Sequence, residues 1–182
     1  MTYSFTIDET DYLTHQLFIA STSKTTNANR RRSWALITVT FLLLAWLFHN
    51  SLNESLRNYF LVVAGICLIF YPFYSSWRYK KHYRKHVRLN HANSFGQTVY
   101  IEFLEGHILT KDDEDSESKI NLSYVVSLNE LPEHFLIQIK GGQSLILPKQ
   151  KIGHVEKLRT DLVELAKKVG LQLTDHTQWK WK

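Results

Sequence analysis

SWALITVTFLLLAWLFHNSLNESLRNYFLVVAGICLIFYPFYSSW, residues Ser33 to Trp77, decides what kind of protein this is. Its first 21 residues, Ser33 to Asn53, contain no Lys, Arg, Asp or Glu, and neither do its last 20, Asn58 to Trp77. An α-helix needs about 20 predominantly apolar residues to cross a hydrocarbon core of about 30 Å, because lipid satisfies no open backbone group. Both stretches reach that length only with their polar shoulders. Those shoulders carry Trp34, Trp46, His49, Tyr59, Tyr71, Tyr74 and Trp77, whose amphipathic rings suit headgroup depth, and Arg57 can snorkel. A buried hairpin of a soluble protein would show a polar stripe at period 3.6, which neither stretch has. A cleaved signal peptide is disfavoured, since about 30 residues come first and no small-residue cleavage pattern follows. The expectation is a two-helix transmembrane hairpin over residues 33–77.

Charge orients that hairpin. The net +5 is uneven along the chain. Residues 1–32 carry four cations against three acids, residues 33–77 carry Arg57 against Glu54, and residues 78–88 hold six cations with no acid. The remainder carries 11 cations against 13 acids. Lys24, Arg30, Arg31 and Arg32 thus precede the first span, and Arg78, Lys80, Lys81, Arg84, Lys85 and Arg88 follow the second. Cations cluster on the cytoplasmic flanks of spans, so both termini are expected in the cytoplasm and the loop near Ser51 to Arg57 outside. The short connection makes the spans antiparallel neighbours. No G-x-x-x-G motif marks a dimer face. These nine cations, Arg30 to Arg32 and the six from Arg78 to Arg88, are the candidate headgroup contacts, worth roughly 1 kcal/mol each against an anionic surface. A basic segment interleaved with aromatics also suits nucleic acid. Its place beside a span and the net-acidic remainder argue against that.

Four segments follow: an N-terminal strand and helix (1–32), the hairpin (33–77), a basic juxtamembrane helix and linker (78–96), and a strand-rich domain (97–182). Tyr3 to Ile7 alternates as a short strand, and Asp8 or Thr10 can cap a helix running through Tyr12, Leu13, Leu17 and Phe18. His82 and His86 stand at i, i+4 with His91 nearby, a metal-like spacing. Neighbouring cations and missing carboxylate or thiolate partners disfavour a metal. Cys67, the one cysteine, forms no internal disulfide and reads as an inert thiol in an apolar run.

From Gln97 the period becomes two. Val99 to Phe103, Ile108 and Leu109, Ile120 to Leu122, Tyr124 to Leu128, Phe135 to Ile139 and Leu145 to Leu147 make about six strands, with a tight turn at Gly141–Gly142. The acidic run Lys111 to Ser118 lacks EF-hand spacing and reads as a solvated hairpin tip. Val155, Leu158, Leu162, Leu165 and Val169 then recur at helical spacing, and Gly170 ends the helix. This stripe is expected to close the small β-domain. The tail Gln178 to Lys182 fits either the membrane interface or an exposed end.

The whole resembles the YcxB-like family of small bacterial membrane proteins. The resemblance rests on the opening strand with its acidic helix start (Phe5-Thr-Ile-Asp-Glu-Thr-Asp-Tyr12), the paired spans, the basic exit helix and the strand-rich domain. Its most recognisable piece is Ser144-Leu-Ile-Leu-Pro-Lys-Gln-Lys-Ile152, an apolar strand ending in a Pro-Lys turn. The resemblance implies an α+β membrane protein of the bacterial inner membrane. Its small antiparallel β-domain, pleckstrin-homology-like (PH-like) and closed by a C-terminal helix, would lie on the cytoplasmic face. Pro148 stops strand pairing, which places Lys149 and Lys151 near a domain rim as candidate contacts for a partner or lipid phosphate. Neither the residues nor the resemblance implies catalytic residues, a metal or a cofactor. Phosphate loops, H-E-x-x-H, C-x-x-C and nucleophile elbows are missing from the sequence. The expected role is a membrane-anchored interaction or regulatory protein whose domain binds a protein partner or lipid headgroups. The competing expectation is an accessory subunit of a transport or envelope-stress system, disfavoured by uncharged span cores.

Overall fold

A computed structural model describes residues 2–49, 54–113 and 116–181. It is a mixed α+β structure. The chain divides into two compact units, Met1–His15 with His86–Lys180, and Gln16–Lys85 with Trp181–Lys182. Two of the three divisions fall inside helices and the third lies between Lys180 and Trp181.

The first unit is built on two four-stranded sheets. Strands β1 (Thr2–Thr6), β2 (Thr98–Phe103), β3 (His107–Asp112) and β4 (Glu117–Asn121) lie in that order, antiparallel throughout. The N-terminal strand therefore pairs with a strand beyond the whole apolar region, Phe5 opposite Val99 and Tyr3 opposite Ile101. The second sheet holds β5 (Val125–Glu130), β6 (His134–Ile139), β7 (Ser144–Pro148) and β8 (Leu173–Asp175), in the order β7-β6-β5-β8. Only β8 runs parallel to its neighbour, Leu128 opposite Leu173. Central β6 is buried on both faces from His134 to Ile137, so it reads as a continuous apolar run rather than an alternating one. The tight turn at Gly141–Gly142 holds φ at 96° and 86°, the left-handed region open to glycine.

Helix α4 (Val155–Lys168) buries Leu158, Leu162, Leu165 and Ala166, as its spacing demands. It reaches both sheets: Tyr3 on β1 donates its hydroxyl to Asp161 at 2.5 Å, and Arg159 donates to Glu130 on β5 at 3.0 Å. The buried core of this unit includes Phe5, Ile101, Ile108, Leu128, Phe135, Ile137 and Leu147. At a generic 1.5–3 kcal/mol per fully buried large side chain, this core dominates the favourable terms. Helix α1 (Glu9–Thr22) follows β1, with Asp8 immediately before its first residue and Thr10 inside its first turn. The Asp8 carbonyl accepts from Tyr12, and the Asp8 amide donates back to the Asp11 carboxylate at 2.8 Å, half of a capping box.

The second unit contains α2 (Lys24–Leu47) and most of α3 (Glu54–His91). They run antiparallel. Phe41 and Phe48 meet Phe60 at ring distances of 6.4 and 5.7 Å near one end, while Arg30 bonds Ser76 near the other. Ala45 and Ala64 are each 3% exposed, small residues that let helix backbones approach. Beyond such seams the helices show apolar side chains to the outside: Leu36, Trp46, Val62, Phe70 and Phe73 are all more than half exposed.

One helix among the described residues is long and apolar enough to cross a membrane, the run Glu54–Ser94 that joins α3 to its closing 3-10 turn. Only 11% of its apolar window is covered by the rest of the chain, unlike a soluble core helix. Pro72 lies inside it and withholds one backbone donor from the helix. Of the transmembrane hairpin expected over residues 33–77, one helix passes this test among the described residues. Helix α2 carries Arg30 to Arg32 inside it and ends at Leu47, so its uncharged part rises only about 22 Å at about 1.5 Å per residue. The rest of that uncharged stretch, Asn50 to Asn53, lies outside the described residues, as do Glu114 and Asp115 of the acidic tip.

Candidate functional site

The nine cations that flank the apolar region separate into three environments. Arg30 is the most constrained. Its guanidinium donates to Ser76 Oγ at 2.7 Å and lies 5.6 Å from the Tyr79 ring centroid and 5.1 Å from that of Trp181. The Trp181 indole in turn donates to the Ser76 carbonyl at 3.1 Å. The tail, which fits two placements on sequence alone, is thus seated by its second tryptophan on the base of the α2–α3 pair. Planar, weakly hydrated guanidinium is suited to this stacking, where a lysine would be a poor replacement.

Two grooves flank Arg30, and both include Tyr71 and Ser75. One, about 340 Å³, is lined by Asn27, Arg30, Arg31 and Trp34 from α2. The other, about 330 Å³, adds Ser33, Arg78 and His82. Neither lining contains an acid. The Trp34 Nε1 donor is buried and finds no hydrogen-bond partner among the described residues. Sequence periodicity identifies Arg30, Arg31 and Arg78 as cations but not their convergence, which depends on the register of α2 against α3.

The second environment is exposed surface: Arg32, Lys80, Lys81, Arg84 and Lys85 point outward, with the Lys81 ammonium 5.2 Å from the Trp77 ring centroid. The third is an ion pair. Arg88 bonds the Glu9 carboxylate at 2.9 Å.

The two rim candidates, Lys149 and Lys151, occupy a part-buried ionic network in the first unit. Lys149 bonds Glu130 at 2.9 Å and lies 4.6 Å from the Phe135 ring centroid. Lys151 bonds Asp8 at 2.6 Å and Asp11 at 2.7 Å. Asp11, only 6% exposed, also meets His134 Nε2 at 2.7 Å, and His134 is 3% exposed. Burial alone would raise the Asp11 carboxyl, but bonds from His134, the Asp8 amide and Lys151 outweigh it and hold it at about 2. An ionised carboxylate only accepts, so His134 Nε2 carries the hydrogen, while its Nδ1 finds no partner among the described residues. Nearby His15 is pushed down to about 4, first by burial and then by His91 and His134. Asp11 and His134 are 123 residues apart and belong to no motif, so no local signal predicts their pairing. This network clamps the start of α1 to β6 and the segment after β7. Among the described residues no group of three His, Cys, Asp or Glu is placed to hold a metal. His82 instead edges onto Tyr83, and His91 stacks on Tyr12 at 4.4 Å.

Residues 103–160 match the family model described as YcxB-like protein, a stretch from the end of β2 into α4. The strand and Pro-Lys turn Ser144 to Ile152 lie inside that match. No curated protein and no solved structure matches the chain.

Proposed function

We propose that the chain is a membrane-anchored interaction or regulatory module. In this reading α2 and α3 form a transmembrane hairpin of the bacterial inner membrane, and the β-rich unit works on the cytoplasmic side against a protein partner or lipid headgroups. One observation carries it: the outward faces of α2 and α3 expose Leu, Val, Ile, Phe and Trp from Leu36 to Trp77, with Trp46 at 71% and Phe73 at 73% exposed. In water so large an apolar surface would drive association, whereas in lipid it is the expected outer face. The cationic and aromatic base at one end matches the cytoplasmic headgroup layer. A PH-like reading of the domain is supported by its antiparallel sheet order β1-β2-β3-β4, its second meander β5-β6-β7, and helix α4 after that meander.

Alkaline carbonate extraction tests the anchor. The protein stays with the membrane pellet, and release into the supernatant overturns the reading. Topology follows from single cysteines in a Cys67→Ser background, labelled in spheroplasts with an impermeant maleimide. Asn53→Cys is labelled and Thr110→Cys is protected until lysis; labelling of Thr110→Cys before lysis refutes a cytoplasmic domain. Crosslinking in native membranes then identifies the partner, and recovery of no specific adduct counts against an interaction role.

A further inference from the structure

Strand β4 ends the first sheet, and no strand among the described residues pairs with its outer side. We infer that this edge pairs antiparallel with the β4 edge of a second copy of the chain, joining two sheets about a two-fold axis at Ser118. The pairing goes beyond the anchored-module reading, because it rests on the β-rich unit alone.

Three features converge on a second copy. Every side chain of β4 except Ile120 is exposed. The ladder with β3 leaves a defined set of backbone groups open. Asp112 donates to the Ser116 carbonyl and Leu122 to that of Gly106, so the bonded pairs between the strands are the alternate ones, Thr110 with Ser118 and Ile108 with Ile120. The N–H and C=O groups of Glu117 and Lys119 therefore point away from β3, and they take no hydrogen bond among the described residues. In a symmetric pair with Glu117 of one copy opposite Lys119 of the other, these open groups satisfy one another, each pair exchanging both of its N–H···O bonds. Charge selects that register. Glu117 and Lys119 project to the same face, and the two neighbouring symmetric registers set Glu117 against Glu117 or Lys119 against Lys119, like charges directly opposite. The register centred on Ser118 sets opposite charges together at both pairs. Glu117 bonds Lys111 on β3 at 3.0 Å, while Lys119 has no acid partner among the described residues, so the paired face runs Lys111, Glu117 and then Lys119 of the second copy. A lysine on an edge strand ordinarily deters pairing. With Glu117 two residues away on the same face, it instead specifies which pairing forms.

Disulfide trapping of the full chain in mild detergent, in a Cys67→Ser background, tests the pairing. In this register Ser118 faces its own copy between the bonded pairs, about 4.5 Å apart at Cα and within disulfide reach. Thr110, one strand further in, lies roughly 14 Å from its copy, three strand spacings, and beyond that reach. On mild oxidation Ser118→Cys forms a linked dimer and Thr110→Cys does not. Equal linkage of the two means random collision and overturns the pairing. Glu117→Lys or Lys119→Glu, added to Ser118→Cys, turns attraction into repulsion at both pairs and lowers the dimer yield about tenfold. The two reversed chains are complementary to each other, so mixing them restores the yield as a heterodimer, read from tags of different mass. Undiminished yield in either reversal, or mixed chains that stay apart, overturns the inference. If a reversed chain melts early by near-UV circular dichroism, Lys119→Gln takes its place and lowers the yield several-fold; an unchanged yield then overturns the inference. A linked product of another mass in native membranes, in place of the dimer, gives the edge to a different protein and overturns the second copy. Failure of the anchor in carbonate extraction leaves these readouts standing, so the two readings fail separately.

Discussion

Removing the Asp11 side chain is the sharpest test of how the β-rich unit is held together. Asp11 is almost fully buried and accepts three bonds: from His134 Nε2, from Lys151 Nζ and from the Asp8 amide. In Asp11→Ala, Lys151 keeps the Asp8 carboxylate at 2.6 Å, so its charge is not stranded. The His134 ring loses the one hydrogen-bond partner it has among the described residues, and leaving that buried donor unpaired costs about 1–3 kcal/mol. Losing the return bond to the Asp8 amide at the start of α1 adds roughly 1 kcal/mol. The total, about 3 kcal/mol, lies at the lower edge of the 3–5 kcal/mol typical when one partner of a buried ion pair is removed. For a unit of about 100 residues it lowers the melting temperature by roughly 10 °C or more. The assay is near-UV circular dichroism of the full chain in mild detergent during heating. Glu9→Ala is the comparison, because it breaks a largely exposed pair with Arg88 and costs no more than about 1 kcal/mol. If Asp11→Ala melts within about 2 °C of the wild type, or no earlier than Glu9→Ala, the network does not clamp the helix and the reasoning fails.

His15 gives a pH signature. Its folded pKa is about 4 against 6.5 for the free side chain, so below 6.5 the unfolded chain takes up a proton that the folded one refuses. Stability then falls as pH drops from 6.5 towards 4, by up to about 1.4 kcal/mol per unit, and urea titrations of His15→Leu show a flatter dependence in that window. Asp11 acts lower: with a folded pKa depressed to about 2, its contribution is complete above 3.8 and lost as pH falls through 2, a second acid limb that Asp11→Asn abolishes. Gly142→Ala forces an L side chain to φ 86° and costs about 1–2 kcal/mol, read as a lower urea midpoint, whereas Gly153→Ala, with no positive φ, changes it little. Tyr3→Phe deletes the bond to Asp161 and costs roughly 1 kcal/mol in the same titration.

Much of the fold was legible because its cues are local. Strand residues from Val99 to Leu147, the Gly141–Gly142 turn and the α4 stripe follow from side-chain period and from glycine's freedom at positive φ. The basic stretch from Arg78 to Arg88 continues α3 without a break to His91. The candidate groove was legible only as a list of cations. Arg30, Arg31 and Arg78 stand out by charge, but Arg32 and Lys80, equally prominent in sequence, face outward. Lys149 and Lys151 read as rim cations, yet acids from β5 and from the segment opening α1 engage them.

The sequence by itself determined two things: an apolar region flanked by cations, and a β-domain with one closing helix. Period, charge and turn chemistry act between near neighbours and need no knowledge of the rest of the chain. Tertiary structure alone decided that β1 returns to β2, that short β8 joins β5 in parallel, that Asp11 meets His134, and that Trp181 covers Arg30. Each of these pairs groups far apart along the chain. Their energy arises from excluding water around both partners together, a quantity that neither partner's local sequence contains.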